Sequence, residues 1–134
     1  MGSPVRTLAR TVLLADDDPA VRFIARRMLE EAGYRVVEAR DGVQAWTYFL
    51  RDPSAYDALL TDIVMPRMPG TALAARVHSV RPSLPILLLS AYAPTDLLAR
   101  GLEAPHGEIL SKPFGAEQLL AAVRRVCGEE PQDA

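Results

Sequence analysis

Short apolar runs alternate with amphipathic stretches from residue 11 to residue 127, and that alternation leaves few folds open. Thr11–Ala15, Tyr34–Ala39, Ala58–Asp62, Pro85–Leu89 and Glu108–Leu110 read as strands. Pro85–Leu89 is almost wholly apolar, as in a strand covered on both faces. Between the runs lie stretches with helical spacing. Pro19–Ala32 places Val21, Ile24, Ala25, Met28 and Leu29 on one side, and Gly33 stops it. Gly42–Leu50 places Val43, Trp46 and Leu50 together, and Asp52-Pro53 ends it. Thr71–Val80 ends at Arg81-Pro82, and Gly115–Cys127 turns Leu119, Leu120, Val123 and Val126 inward. Pro94–Leu102 reads as a short, weak helix. Strands that alternate with helices imply a parallel sheet with helices on both faces, a single α/β domain of three layers.

Length and composition fit one such domain. The chain has 134 residues and a net charge of -2, so nothing global argues for binding nucleic acid or an anionic membrane. No apolar stretch approaches the ~20 residues that span a bilayer. Arg6 and Arg10 before Val12–Ala15 faintly suggest a signal peptide, but the apolar part is too short and runs straight into acids. Cys127 is the one cysteine, which excludes an intrachain disulfide and fits a cytoplasmic location. The expected organisation is a flexible lead-in over 1–10, one domain over 11–127 and a flexible tail over 128–134.

The chemistry collects at one edge. In a parallel sheet of this kind, sites form where the carboxyl ends of the strands meet. The first strand ends at Asp16-Asp17-Asp18 and the third at Asp62. The fourth leads to Ser90, and the fifth to Lys112-Pro113-Phe114. Asp18 before Pro19 is an ordinary helix start, an acid capping a proline-initiated helix. Asp16 and Asp17 have no such explanation. Two carboxylates about 4 Å apart repel by roughly 4 kcal/mol at an effective dielectric near 20. They need a cation, a shared proton or full solvation. Oxygen ligands without His or Cys favour a hard ion such as Mg²⁺. Singly, Asp62 reads as a loop acid, Ser90 as a turn residue, and Lys112, the one lysine of the chain, as a surface charge. Chance would scatter the five groups over both edges of the sheet.

These residues resemble the receiver domain of two-component response regulators. The resemblance runs from residue 11 to residue 127. It is carried by Val12-Leu13-Leu14-Ala15-Asp16-Asp17-Asp18-Pro19, Asp41-Gly42, Asp62-Ile63-Val64-Met65-Pro66 with Gly70, Ser90-Ala91 and Lys112-Pro113-Phe114. It implies a flavodoxin-like sheet of five strands in the order 2-1-3-4-5 with five helices. It implies Asp62 as phosphoacceptor, taking a phosphoryl group from a sensor histidine kinase or a histidine phosphotransfer protein. Mg²⁺, with Mn²⁺ as a substitute, is implied at Asp16, Asp17, Asp62 and the backbone carbonyl of Val64. Ser90 and Lys112 are implied to stabilise the phosphoryl group, and Pro113 to aim Lys112 through a cis peptide bond. A homodimer through the fourth helix, fifth strand and fifth helix would follow the same family, with no direct contact to nucleic acid or membrane.

The chain departs from the family pattern in places that matter for switching. Ile109 stands three residues before Lys112, where many receivers carry a tyrosine or phenylalanine that moves with the hydroxyl residue. Pro69 replaces a commoner acid. Val64 and Tyr92 occupy the two positions where polar groups help to place hydrolytic water in fast members. Other readings are a receiver module from a hybrid sensor histidine kinase, a partner-binding receiver that takes no phosphate, and a haloacid dehalogenase-like phosphotransferase. The last needs Asp-x-Asp-x-Thr/Val after the first strand, and Ala20 breaks that pattern.

Overall fold

A computed structural model describes residues 10–101 and 106–128. Five parallel strands form one sheet: β1 (Thr11–Ala15), β2 (Arg35–Ala39), β3 (Ala58–Asp62), β4 (Ile86–Ser90) and β5 (Glu108–Ser111). Their spatial order is β2-β1-β3-β4-β5. The helices are α1 (Pro19–Glu31), α2 (Gly42–Arg51), α3 (Gly70–Val80), α4 (Pro94–Ala99) and α5 (Ala116–Val126), with a 3₁₀ turn at Pro53–Ala55. The expected lead-in and tail lie, except for Arg10 and Gly128, outside the described residues, as does Leu102.

Side chains alternate along each strand between two cores, as a pleated strand requires. Val12, Leu14, Ala58, Leu60, Leu87 and Leu89 pack with Ala25 and Leu29 of α1 and Leu119, Ala122 and Val123 of α5. Leu13, Ala15, Leu59, Ile86 and Leu88 pack with Ala45 and Phe49 of α2, Leu73, Ala74 and Val77 of α3, and Leu97 of α4. The central strands β3 and β4 are buried at every residue. Register follows from this pattern. Leu13 lies opposite both Val37 and Leu59, and Asp62 lies opposite Leu89. A slip of one residue would exchange the two faces throughout.

Two helix faces differ from the sequence reading. Val43 and Leu50 are about half exposed, at 40% and 49%, while Ala45 and Phe49 pack into the core on the sheet and Gly42 is buried against the β3–α3 loop. Small residues decide this. A Cβ at Gly42 would lie 2.6 Å from the Met68 carbonyl oxygen, so α2 approaches the β3–α3 loop at a distance only glycine permits. Trp46 sits at the rim, stacked on Phe49 at 5.9 Å between ring centroids. On α1, Ile24 is exposed, while Ala25 and Leu29 carry the contact with the sheet. Element ends shift by a residue or so, and β4 extends through Ser90. The weak fourth helix is six residues long, and Leu97 is buried in it.

The loop after β3 is closed by Gly70. Its N–H donates to the Ile63 carbonyl at 2.7 Å, and a Cβ there would fall 1.9 Å from the carbonyl oxygen of Asp62. That clash involves backbone, so relief requires moving Asp62 or α3. Gly70→Ala is expected to destabilise the fold by on the order of 3 kcal/mol. Urea unfolding measures it, and an unchanged midpoint would show that the loop yields freely.

Candidate functional site

The parallel topology brings the carboxyl ends of β1, β3, β4 and β5 to one edge. Asp16 follows β1 directly and is wholly buried. Its Oδ1 accepts the Asp18 N–H at 3.0 Å, and its Oδ2 accepts Lys112 Nζ at 3.1 Å. Its carbonyl accepts Arg22 Nη1 at 2.6 Å, so α1 holds the backbone of this loop. Asp17 is exposed, its neighbour's charge on one side and solvent on the other. Asp18 caps α1 by accepting the N–H groups of Ala20 and Val21. Pro19 opens the helix, as the sequence implies.

Asp62 is the last residue of β3 and is 8% exposed. Lys112 Nζ stands 3.4 Å from its Oδ2, so one ammonium bridges Asp16 and Asp62. Carboxylate oxygens of Asp16, Asp17 and Asp62 lie within 4.8 Å of one another. With all four groups ionised, three carboxylates and one ammonium leave two negative charges uncompensated. Burial pushes the Asp62 carboxyl up to about 6, Lys112 opposes that rise, and the charges of Asp16 and Asp17 add to it. The donor set is oxygen only, compact and short of two positive charges, which fits a hard divalent cation.

The remaining candidates are placed as follows. Ser90 ends β4, is buried, and turns its hydroxyl to the backbone of Tyr92 rather than to Asp62. The Lys112 N–H donates to the Ser90 carbonyl at 2.7 Å, so the lysine is tied to β4 at its backbone. The Lys112–Pro113 peptide bond is cis, as the resemblance implies. Val64 lies two residues after Asp62 and is 42% exposed. Tyr92 and Ile109 are half-buried against the core beneath α2 and α3.

Sequence reading missed three supports of this edge. Arg22 had no signal beyond its place in the first turns of α1. Asp41 stood in a motif without a role. It caps α2 by accepting the Gln44 N–H at 2.8 Å, and it pairs with Arg67. The Gln44 N–H and the Arg67 guanidinium hold its carboxyl below the ordinary range, against the cost of burial. Arg67 has a φ of +69°, a left-handed conformation that a branched or long side chain seldom adopts. The pair therefore fastens the β3–α3 loop to the start of α2.

Comparison with known proteins agrees with the geometry. The family model of the response regulator receiver domain matches residues 12–124. Response regulator MprA of Mycobacterium leprae is 40% identical over 124 residues, 92% of this chain and 54% of that protein. The chain spans about half the length of the curated relatives it matches. A response regulator structure from Chloroflexus aurantiacus superposes with a TM-score of 0.80 at 31% identity, covering 90% of this chain and 99% of that one. The chemotaxis protein CheY4 of Vibrio cholerae gives 0.78 at 30% identity, covering 89% and 99%. The chain belongs to the response regulator receiver domains of two-component systems.

The raised Asp62 carboxyl sets a pH dependence in metal-free buffer. Between about pH 4 and pH 6 the folded chain keeps this proton while the unfolded chain releases it. Stability from this group is therefore full below pH 4 and is lost as pH rises to 6. The expected loss is on the order of 2 kcal/mol, and Asp62→Asn should abolish it. Chemical denaturation in the presence of a chelator across that range measures the difference. Parallel pH profiles for the two proteins would overturn the assignment.

Proposed function

We propose that Asp62 accepts a phosphoryl group from the phosphohistidine of a sensor histidine kinase or histidine phosphotransfer protein. The observation that carries this reading is the buried Asp62 carboxylate beside two further carboxylates, bridged by the one lysine of the chain. A carboxylate oxygen of Asp62 would form the new P–O bond as the P–N bond to the donor imidazole breaks. The electron pair returns to the imidazole nitrogen. Asp16, Asp17, Asp62 and the Val64 carbonyl would hold Mg²⁺, or Mn²⁺ in its place. When bound, the ion supplies positive charge to the phosphoryl oxygens. Lys112 would turn from the carboxylates to the phosphoryl group, and Ser90 would donate its proton there. Phosphoryl transfer asks mainly for such positioning and charge neutralisation.

The surface beside the site supports a protein donor. A groove of about 470 Å³ is lined by Val21, Ile24, Ala91, Lys112, Pro113 and Phe114. Ile24 of α1, one of its walls, is about half exposed. Apolar surface at the rim of a charged centre suits a partner that carries the phosphoryl group on its own side chain. Among the described residues no helix is long and apolar enough to cross a membrane.

Asp62→Asn keeps the shape and removes the nucleophile. After treatment with acetyl phosphate or phosphoramidate in Mg²⁺, intact-mass spectrometry should show one phosphate on the wild type and none on the variant. Millimolar Mg²⁺ should raise the melting temperature by mass action, and Asp17→Ala should lose most of that response. Phosphate on Asp62→Asn, or a wild-type melting temperature indifferent to Mg²⁺, would sink the reading.

The phosphorylated state should also persist. Hydrolysis needs a water aligned opposite the leaving carboxylate. Valine at position 64 offers no side-chain hydrogen bond, and the Tyr92 ring is packed on the core rather than free to orient water. Poor alignment costs about a hundredfold in rate. Phosphate loss from the purified phosphoprotein should be slow, and Val64→Asn with Tyr92→Glu should accelerate it. Loss complete within seconds in the wild type, or no acceleration in the double variant, would contradict this.

A further inference from the structure

Ser90 closes its hydroxyl onto a single residue. The Oγ–H donates to the Tyr92 carbonyl at 2.9 Å, and the same oxygen accepts the Tyr92 N–H at 2.9 Å. A hydroxyl has one proton. An acceptor at Asp62 that bonds the Ser90 hydroxyl therefore takes that proton from the Tyr92 carbonyl. β4 cannot move to serve both, because every one of its residues is buried. The choice falls to rotation of one side chain.

Tyr92 is connected in a second direction. Its ring is half-buried on the core beneath α2 and α3, the core on which Ile109 of β5 also packs. The guanidinium of Arg100 lies 4.1 Å from the ring centroid. Arg100 is the residue that ends α4, and its N–H bonds the carbonyls of Asp96 and Leu97. Arg100 is exposed, so the stack is a modest contact that a small shift of the ring can break. α4 is six residues long and Leu97 is buried in it, so the stack adds a tie at the other end of a short helix.

We propose that Tyr92 is a positioning residue that reports the state of Ser90 to α4 through its stack with Arg100. It would supply from the β4–α4 loop the aromatic readout that β5 lacks at Ile109. The inference rests on the reading of Asp62 as phosphoacceptor. When Ser90 turns its proton to a phosphoryl group, the Tyr92 carbonyl loses its donor and the turn through Ala91 opens. The ring then shifts on the core, and α4 loosens at its Arg100 end.

Amide hydrogen exchange of residues 93–101 in the full chain tests this in two arms. The first needs no phosphoryl chemistry. Ser90→Ala removes both bonds to Tyr92 and should speed exchange in α4 by about fivefold, the scale of one lost hydrogen bond. Tyr92→Ala should do the same, Tyr92→Phe should match the wild type, and Ser90→Ala should add little to Tyr92→Ala. The second arm loads the site with beryllium trifluoride and Mg²⁺, with occupancy followed by fluorine resonance. Loading should speed α4 exchange in the wild type. Arg100→Gln should load equally, and its α4 should no longer respond. Unchanged exchange in Ser90→Ala, additive effects of Ser90→Ala and Tyr92→Ala, or a full response in Arg100→Gln would overturn the proposal. Failure to load would instead refute the phosphoacceptor reading, and the first arm then judges the coupling by itself.

Discussion

Three carboxylates converge on one edge of a buried sheet, and one lysine holds two of them together. The rest of the edge is built around that unfavourable concentration of charge. Arg22 secures the loop that carries Asp16, Gly70 locks the backbone beneath Asp62, and Lys112 is tied to β4 through its own N–H. Each tie fixes a charged group where relaxation would otherwise let it escape to water. A chain free to spread these acids apart would gain electrostatic energy and lose the site. Two cores, one on each face of the sheet, supply the rigidity that prevents it.

Much of this was legible in the sequence because the physics behind it is local. A run such as Ile86-Leu87-Leu88-Leu89 has no solvent-facing side to offer, so it reads as a central strand and is one. Acids, a hydroxyl and an ammonium at strand ends needed only the topology to be gathered, and the topology followed from alternation. The short α4 followed from the prolines and glycines around it. The face of α2 was misread because large apolar residues attract notice, whereas the close contact there is made by Gly42 and Ala45. Val43 and Leu50 look like core and stand at the surface.

What stayed hidden depends on contacts distant in sequence or on rotamer choice. Nothing around Arg67 indicates that its guanidinium crosses to Asp41, 26 residues earlier. Nothing around Ser90 indicates that its hydroxyl faces the chain ahead of it rather than the acids. Both are settled by where packing leaves a side chain room to turn, and periodicity carries no record of that.

The edge strand β2 has a consequence for how the molecule meets others of its kind. Glu38 points from it toward α1, where Arg22 and Arg26 hold its two oxygens at 3.0 Å each. Arg35, at the start of the same strand, is exposed. A strand from another chain laid along β2 would draw this ion-paired cluster out of water, a cost that edge-to-edge association meets at charged borders. The sheet is thus closed on that side by electrostatics rather than by cover. Growth of a continuous sheet from copy to copy is disfavoured at that border.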